Sequence, residues 1–256
     1  MMKRSLLSLH CAVEAEDLEQ VRSLLEQGKS FQEQDEEGLT PLHIAATLPS
    51  PEIARLLLDK GADMHARENH DMSPLVMAAW YGRAEVVRLL LERGAADHPV
   101  DLQRAVRMAT MDSGEAVIPV LQEFGAKIGL VEAMYLGDAE AVSRLLEEEA
   151  DPDRIDDGST LLMHAVAASL SRFPQNFVPA LLEHGASANA LSKNGLTPLM
   201  TASNWGHIGV VDPLLAHGAD PNLRGPEGQT ALSMALHDPE HNAIAIKRLR
   251  EVGAQE

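Results

Sequence analysis

The sequence predicts an all-α protein built of short helical hairpins stacked in a row, and three observations carry that reading. Helix-start and helix-stop signals recur at a spacing of 33 residues, as from Thr40-Pro41-Leu42 to Ser73-Pro74-Leu75 and from Gly61-Ala62 to Gly94-Ala95. A fixed period in this range marks a stacked repeat array. Of the 256 residues 45% are hydrophobic but only 3% aromatic, so Leu, Val, Ile, Met and Ala must fill the core, and such side chains suit closely packed short helices. Runs of β-branched and aromatic residues of strand length are absent.

Residues 38–63 are the clearest unit. The Thr40 hydroxyl is placed to cap a helix, and Pro41 occupies the first helical position, where a missing N–H costs nothing. Leu42, Ile44, Ala45 and Ala46 give a small apolar first helix, which Pro49 and Pro51 break. Ile53, Leu56, Leu57 and Leu58 form the buried stripe of a second helix, and Gly61 ends it with its freedom to take positive φ. Leu9-His10-Cys11-Ala12 starts an earlier unit whose second helix runs from Leu18 to Leu25. Thr197-Pro198-Leu199 and, 33 residues on, Thr230-Ala231-Leu232 start later ones.

These motifs resemble the ankyrin repeat: Thr-Pro-Leu-His at 40–43, the helix-end glycines of Tyr81-Gly82-Arg83 and Trp205-Gly206-His207, and Gly-Ala-Asp at 61–63 and 218–220. The resemblance covers residues 5–254 and is specific, because several spaced motifs recur together in one order. It implies an antiparallel helix pair per repeat, followed by a β-hairpin-like finger, stacked into a curved solenoid. The fold class is thus all-α with short β-hairpin-like fingers. We divide a single array over 1–256 into eight repeats, at 5–37, 38–70, 71–99, 100–128, 129–157, 158–194, 195–227 and 228–256.

Repeats four to six are irregular. Gly94-Ala95 and Gly125-Ala126 are followed too soon by helical sequence, so shortened or missing fingers are expected there. The sixth starts at Thr160-Leu161-Leu162-Met163 and lies 37 residues before the seventh. The extra residues fall at 169–176, around Phe173-Pro174, as a longer turn between its helices. In the last helix, Lys247, Arg248, Arg250 and Glu251 surround Ile244, Leu249 and Val252. Lys3, Arg4 and Ser5 stand at the start. Both ends are wettable, as terminal repeats require, and a complete array without an attached output domain is expected.

Composition excludes several functions. The formal net charge of −18 repels nucleic-acid backbones and anionic membranes and attracts basic proteins. The acidic runs at 14–37 and 147–157 concentrate that field. Cys11 is the single cysteine, so no intrachain disulfide or cysteine-based zinc site can form, in keeping with a reducing, cytoplasmic location; its position in the first helix reads as a small buried hydrophobe. Lys3-Arg4 before a short apolar stretch has the look of a leader. His10 interrupts that stretch, and Leu9-His10-Cys11 keeps register with Leu42-His43-Ile44, so it is assigned to the fold. No run is long enough to span a membrane.

Most histidines have a structural account. His43 and His10 are placed where family members tie neighbouring hairpins through the ring, His184 and His217 sit at helix C-termini, and His207 follows a helix-end glycine. His237-Asp238-Pro239-Glu240-His241 has metal-ligand types, but in an inter-helix turn without an i, i+4 scaffold. A metal-dependent enzyme using His237 and His241 is the weaker alternative, and nucleic-acid binding weaker still. No phosphate loop, nucleophile elbow or acid–base pair is evident, and no cofactor is expected.

Candidate binding residues are those without a task inside the repeat. The two positions before each helix-end glycine are implied by the resemblance to face the concave side: Trp80 and Tyr81, Asn204 and Trp205, with Thr47 and Leu48 as their counterparts in the second repeat and Tyr135 in the fifth. Both tryptophans and both tyrosines of the chain fall here, and such rings are typical binding anchors. Finger tips add Glu68, Asn69, His70, Lys193 and Asn194, with Pro226 and Glu227. The expected function is non-catalytic binding of another, basic protein by a free monomer, as an adaptor or an inhibitor or immunity-type protein. Solenoid stability is a sum over neighbours, so residues 100–128 are expected to open first. Hydrogen exchange reads this directly: their helical amides should exchange fastest, and uniform protection along the chain would exclude it.

Overall fold

The computed structural model describes residues 8–111, 114–148, 151–169 and 176–255. The expectations for Lys3, Arg4, Ser5 and Glu149, and for residues 170–175 of the long turn in the sixth repeat, lie outside these. The chain forms two compact units, Met1–Ile128 and Gly129–Glu256. The first holds α1 (Leu9–Glu14), α2 (Leu18–Glu26), α3 (Pro41–Thr47), α4 (Glu52–Asp59), α5 (Pro74–Trp80), α6 (Ala84–Glu92), α7 (Pro99–Met111) and α8 (Val117–Glu123). The second holds α9 (Leu130–Leu136), α10 (Ala139–Glu148), α11 (Leu161–Ala168), α12 (Val178–Glu183), α13 (Pro198–Asn204), α14 (Ile208–Ala216), α15 (Ala231–Ala235) and α16 (Ala243–Glu251).

Within each unit the odd-numbered helices stack in one row and each packs on the even one after it, while among the even-numbered helices α2 packs on α4, α6 on α8, α12 on α14 and α14 on α16. The starts follow from capping chemistry. The hydroxyls of Ser8, Thr40, Ser73, Thr160, Thr197 and Thr230 each accept the backbone N–H three residues on. First helices sit between two neighbours and are buried almost all round, as at Pro41 to Ala46 and Pro74 to Ala79. Second helices bury one stripe, such as Ile53, Ala54 and Leu57 or Val210, Val211 and Leu214. Cys11, on α1, is only half-buried rather than part of the core.

Two side-chain devices join successive layers. The His10 Nε2–H donates to the Leu39 carbonyl at 3.0 Å and the His43 Nε2–H to that of Met72 at 3.1 Å, in each case the residue before the next helix cap. In the other device the residue after a helix-end turn reaches back one layer. Arg83 Nε donates to the Thr47 carbonyl at 2.6 Å, and Asn242 Nδ2 to that of Asn204 at 3.2 Å.

The fingers are mostly tight turns closed by one cross-bond, as from the Glu68 N–H to the Met72 carbonyl and from the Ser192 N–H to the Leu196 carbonyl. Among the described residues one finger forms a strand pair, β1 (Ile155–Asp156) with β2 (Ser159–Thr160). Asp157-Gly158 is its two-residue turn, and both residues have positive φ, the geometry that a two-residue hairpin favours.

After Gly94 no finger forms. A 3₁₀ turn, Ala95–Asp97, leads straight into the 13-residue α7, with Pro99 at its first position. Residues 124–129 are all that separate α8 from α9. In place of the finger, α7 takes an ionic clamp from the preceding one. Arg67 grips Asp101, which is 2% exposed, through two bonds of 2.6 and 2.9 Å. Arg104 donates to the carbonyl and carboxylate of Asp71 at 2.7 and 2.8 Å. Asp71 stands at φ 63°, where the other fingers use Gly38, Gly195 and Gly228, a backbone region that Asp tolerates better than most residues.

Removing Arg67 leaves the Asp101 carboxylate buried without its cation. Breaking a buried pair costs about 3–5 kcal/mol, and Arg67 is itself 34% exposed, so about 3 kcal/mol is expected for Arg67→Ala. Urea denaturation measures it, with Arg88→Ala as the control: its pair with Glu123 lies on the surface, and losing it should leave the urea midpoint nearly unchanged.

Candidate functional site

The candidate residues fall into two groups, one in each unit. In the first unit the helix-end turn after α5 holds Trp80 and Tyr81 at 40% and 49% exposure, their ring centroids 6.1 Å apart. Helix burial stops at Ala79, so both rings stand clear of the core. Thr47 and Leu48 are half-buried. The Thr47 hydroxyl donates to the Ile44 carbonyl at 2.9 Å and its own carbonyl is taken by Arg83, so its polar groups serve the fold.

The finger residues differ among themselves. The sequence places Glu68 at an exposed tip, whereas the structure leaves it only 7% exposed. One carboxylate oxygen accepts the backbone N–H groups of His70 and Met72 at 2.9 and 3.0 Å, and the other meets His70 Nδ1 at 3.0 Å. It does what Asp35 does one repeat earlier, where the carboxylate accepts from Glu37 and Leu39. That offset of 33 residues is the signal that could have revealed it. Asn69 is exposed, but its side-chain amide donates to the Glu36 carbonyl and its backbone N–H to that of Glu37, tying two fingers together. The side chain of His70 is open to solvent.

In the second unit Trp205 is 40% exposed, Tyr135 is half-buried, and Asn204 is half-buried with its carbonyl accepting from Asn242. Tyr135, at the end of α9, and Trp205, just after α13, line one hollow of about 190 Å³. Met163, His164, Ser159 and Asn194 share it. His164 was missed by sequence reasoning. It stands one residue beyond the register of His43, turns its ring edge-on to Tyr135 at 6.2 Å, and is held by a 2.9 Å bond from Nε2 to the Asp156 carbonyl. A second hollow of about 350 Å³ adjoins, lined by Asp157, Lys193 and Asn194.

The run at 14–37 presents Glu14, Glu16, Asp17, Glu19, Glu26, Glu33, Glu36 and Glu37 to solvent, and in the later run Glu147, Glu148, Asp151 and Asp157 are exposed. His237, Asp238, Glu240 and His241 are all exposed on the turn before α16. Among the described residues no group of three or more His, Cys, Asp or Glu side chains is gathered closely enough to hold a metal ion. No helix there is long and apolar enough to cross a membrane.

Stacked helix pairs with capped starts and layer-bridging histidines define a helical repeat protein. The model of the ankyrin repeats matches residues 9–101 and 130–225, and the chain belongs to the ankyrin-repeat family, whose repeats are protein–protein interaction modules. The stretch between the two matches, 102–129, holds most of α7 and all of α8. Among curated relatives, the mouse B-cell lymphoma 3 protein homolog is 38% identical over 105 residues, 40% of this chain and 22% of that protein. The rat ankyrin repeat and SAM domain-containing protein 6 is 32% identical over 143 residues, 53% of this chain and 16% of that protein. The mouse 2-5A-dependent ribonuclease is 38% identical over 82 residues, 32% of this chain and 10% of that protein. The chain thus spans less than a quarter of the length of these relatives.

Acid should weaken the bridges in two stages. Burial pushes the His43 imidazole below its usual value of 6.5, although the Met72 carbonyl and nearby carboxylates pull the other way. Its Nδ1 accepts the Thr40 N–H, so a proton there breaks the cap as well. The unfolded chain therefore takes up that proton first; the contribution is complete above pH 6.5 and is lost as pH falls through the lower folded value. For Glu68 burial raises the carboxyl, but the His70 and Met72 N–H groups and the His70 ring outweigh it and hold it below 4.5. Its contribution is present above 4.5 and is lost as pH falls through the folded value. A urea midpoint that declines below pH 6.5 and again below 4.5 is expected, with His43→Gln flattening the upper step.

Proposed function

We propose that this chain is a non-catalytic binding protein that acts by occupying a basic partner protein, as an adaptor or as an inhibitor or immunity-type protein in the cytoplasm, and is monomeric when free. The observation that carries the reading is the set of rings before the helix-end glycines. Trp80, Tyr81 and Trp205 leave 40–49% of their surface in water although the same helices bury nearly every other apolar side chain. Rings of this kind dominate binding energy when a partner covers them. The solvent-facing carboxylates of both acidic runs supply the field that steers a basic surface toward them. His70, Lys193 and Asn194 fit the rim of such a contact. Glu68 and Asn69 support it by fixing the fingers, and Thr47, Leu48 and Asn204 are its partly covered neighbours.

The test is recovery of the native partner followed by comparison of wild type with the Trp80→Ala, Tyr81→Ala and Trp205→Ala variants. Each is expected to weaken binding about tenfold or more, equivalent to about 1–2 kcal/mol, while the melting temperature moves by no more than a few degrees. Affinity should fall as salt rises. Unchanged affinity in the triple variant, or a collapse of melting, overturns the reading.

A further inference from the structure

Resting on the reading that these rings meet a basic protein, we infer that the hollow between Tyr135 and Trp205 is a receptor for one arginine side chain of that partner. The hollow offers about 190 Å³, room for a single side chain and too little for a segment of backbone. Two of its lining side chains, His164 and Thr201, are left as acceptors. A carbonyl only accepts hydrogen bonds, so in the 2.9 Å contact with Asp156 it is His164 Nε2 that carries the proton, and in that tautomer Nδ1 is an acceptor, with no protein donor among the described residues. The Thr201 hydroxyl, also in the lining, spends its proton on the Thr197 carbonyl at 3.2 Å, which leaves its lone pairs as acceptors too. His164 is only 8% exposed and lines the hollow.

A ligand that satisfies both groups must be a donor. Guanidinium has five N–H donors in one plane and no acceptor, and that plane stacks on aromatic faces such as those of Trp205 and Tyr135. An ammonium has donors but no plane, and a carboxylate has neither donors nor the right charge. Lys193 does not line the hollow. It lines the adjoining one, together with Asp157. The net charge of −18 adds long-range attraction for a cation.

The full chain, ¹⁵N-labelled, would be titrated with three acetylated pentapeptides that are identical except for a central arginine, citrulline or lysine. Citrulline keeps the shape of arginine but loses the charge and replaces one donor group with an acceptor. The arginine peptide is expected to shift the Trp205 indole N–H and the Thr201 amide saturably, with citrulline at least tenfold and lysine at least threefold weaker. His164→Phe and the isosteric Thr201→Val should each weaken arginine binding about fivefold; Thr201→Val keeps the size of the side chain, and amide shifts unchanged away from the hollow check its fold, so a misfolded His164→Phe still leaves a decisive variant. Equal binding of citrulline or lysine, or wild-type affinity in Thr201→Val, overturns the assignment. Shifts confined to Trp80 and Tyr81 overturn it while leaving the basic-partner reading intact. No shift with any cationic peptide overturns both.

Discussion

The constraint on which the rest of this structure depends is the shortness of its helices. They run from 5 residues in α15 to 13 in α7, and an isolated helix under about 12–15 residues is marginal in water. Each helix therefore exists because its neighbours bury it, and stability is a sum over adjacent layers. The layers are set by side chains that reach across one repeat: His10 to Leu39, His43 to Met72, Arg83 to Thr47 and Asn242 to Asn204. All end on backbone carbonyls, next to a helix cap or at a helix end, where the acceptor has no partner within its own helix.

The loss of a finger after Gly94 shows what happens when the pattern breaks. Finger and following cap normally hold each other through short backbone bonds. In α7 the helix begins early, so the preceding finger is anchored by Arg67 on Asp101 and Arg104 on Asp71. An ion pair of this kind depends on both partners, because a lone buried carboxylate is far less stable than the pair. Local backbone contacts are exchanged here for a longer-range and more fragile one.

The exposed rings arise from the same construction. After α5 and α13 the helix ends in a glycine turn, and Trp80, Tyr81 and Trp205 beside those turns remain 40–49% exposed, whereas Thr47 and Leu48, which no glycine follows, are half-buried. In the second unit Tyr135 and Trp205 share a hollow with His164 and Thr201, whose hydrogens are already committed to backbone carbonyls. Selectivity for a donor then follows from the direction of hydrogen bonds rather than from an ion pair.

The 33-residue period, the Thr-Pro caps and the helix-end glycines were legible in the chain by itself, because caps, stops and apolar stripes act within a few residues and are read locally. So was a shortened or missing finger after Gly94, since the helical sequence at 101–111 follows too soon to leave room for a full one. Glu68 and His164 were decided only by the tertiary structure. Glu68 looks like one more surface acid until the turn closes around its carboxylate. His164 stands one residue off the register of His43 and acquires its role only when α9, α11 and the turn after α13 come together. Burial and hydrogen-bond direction are properties of that packed environment, and residue spacing carries neither.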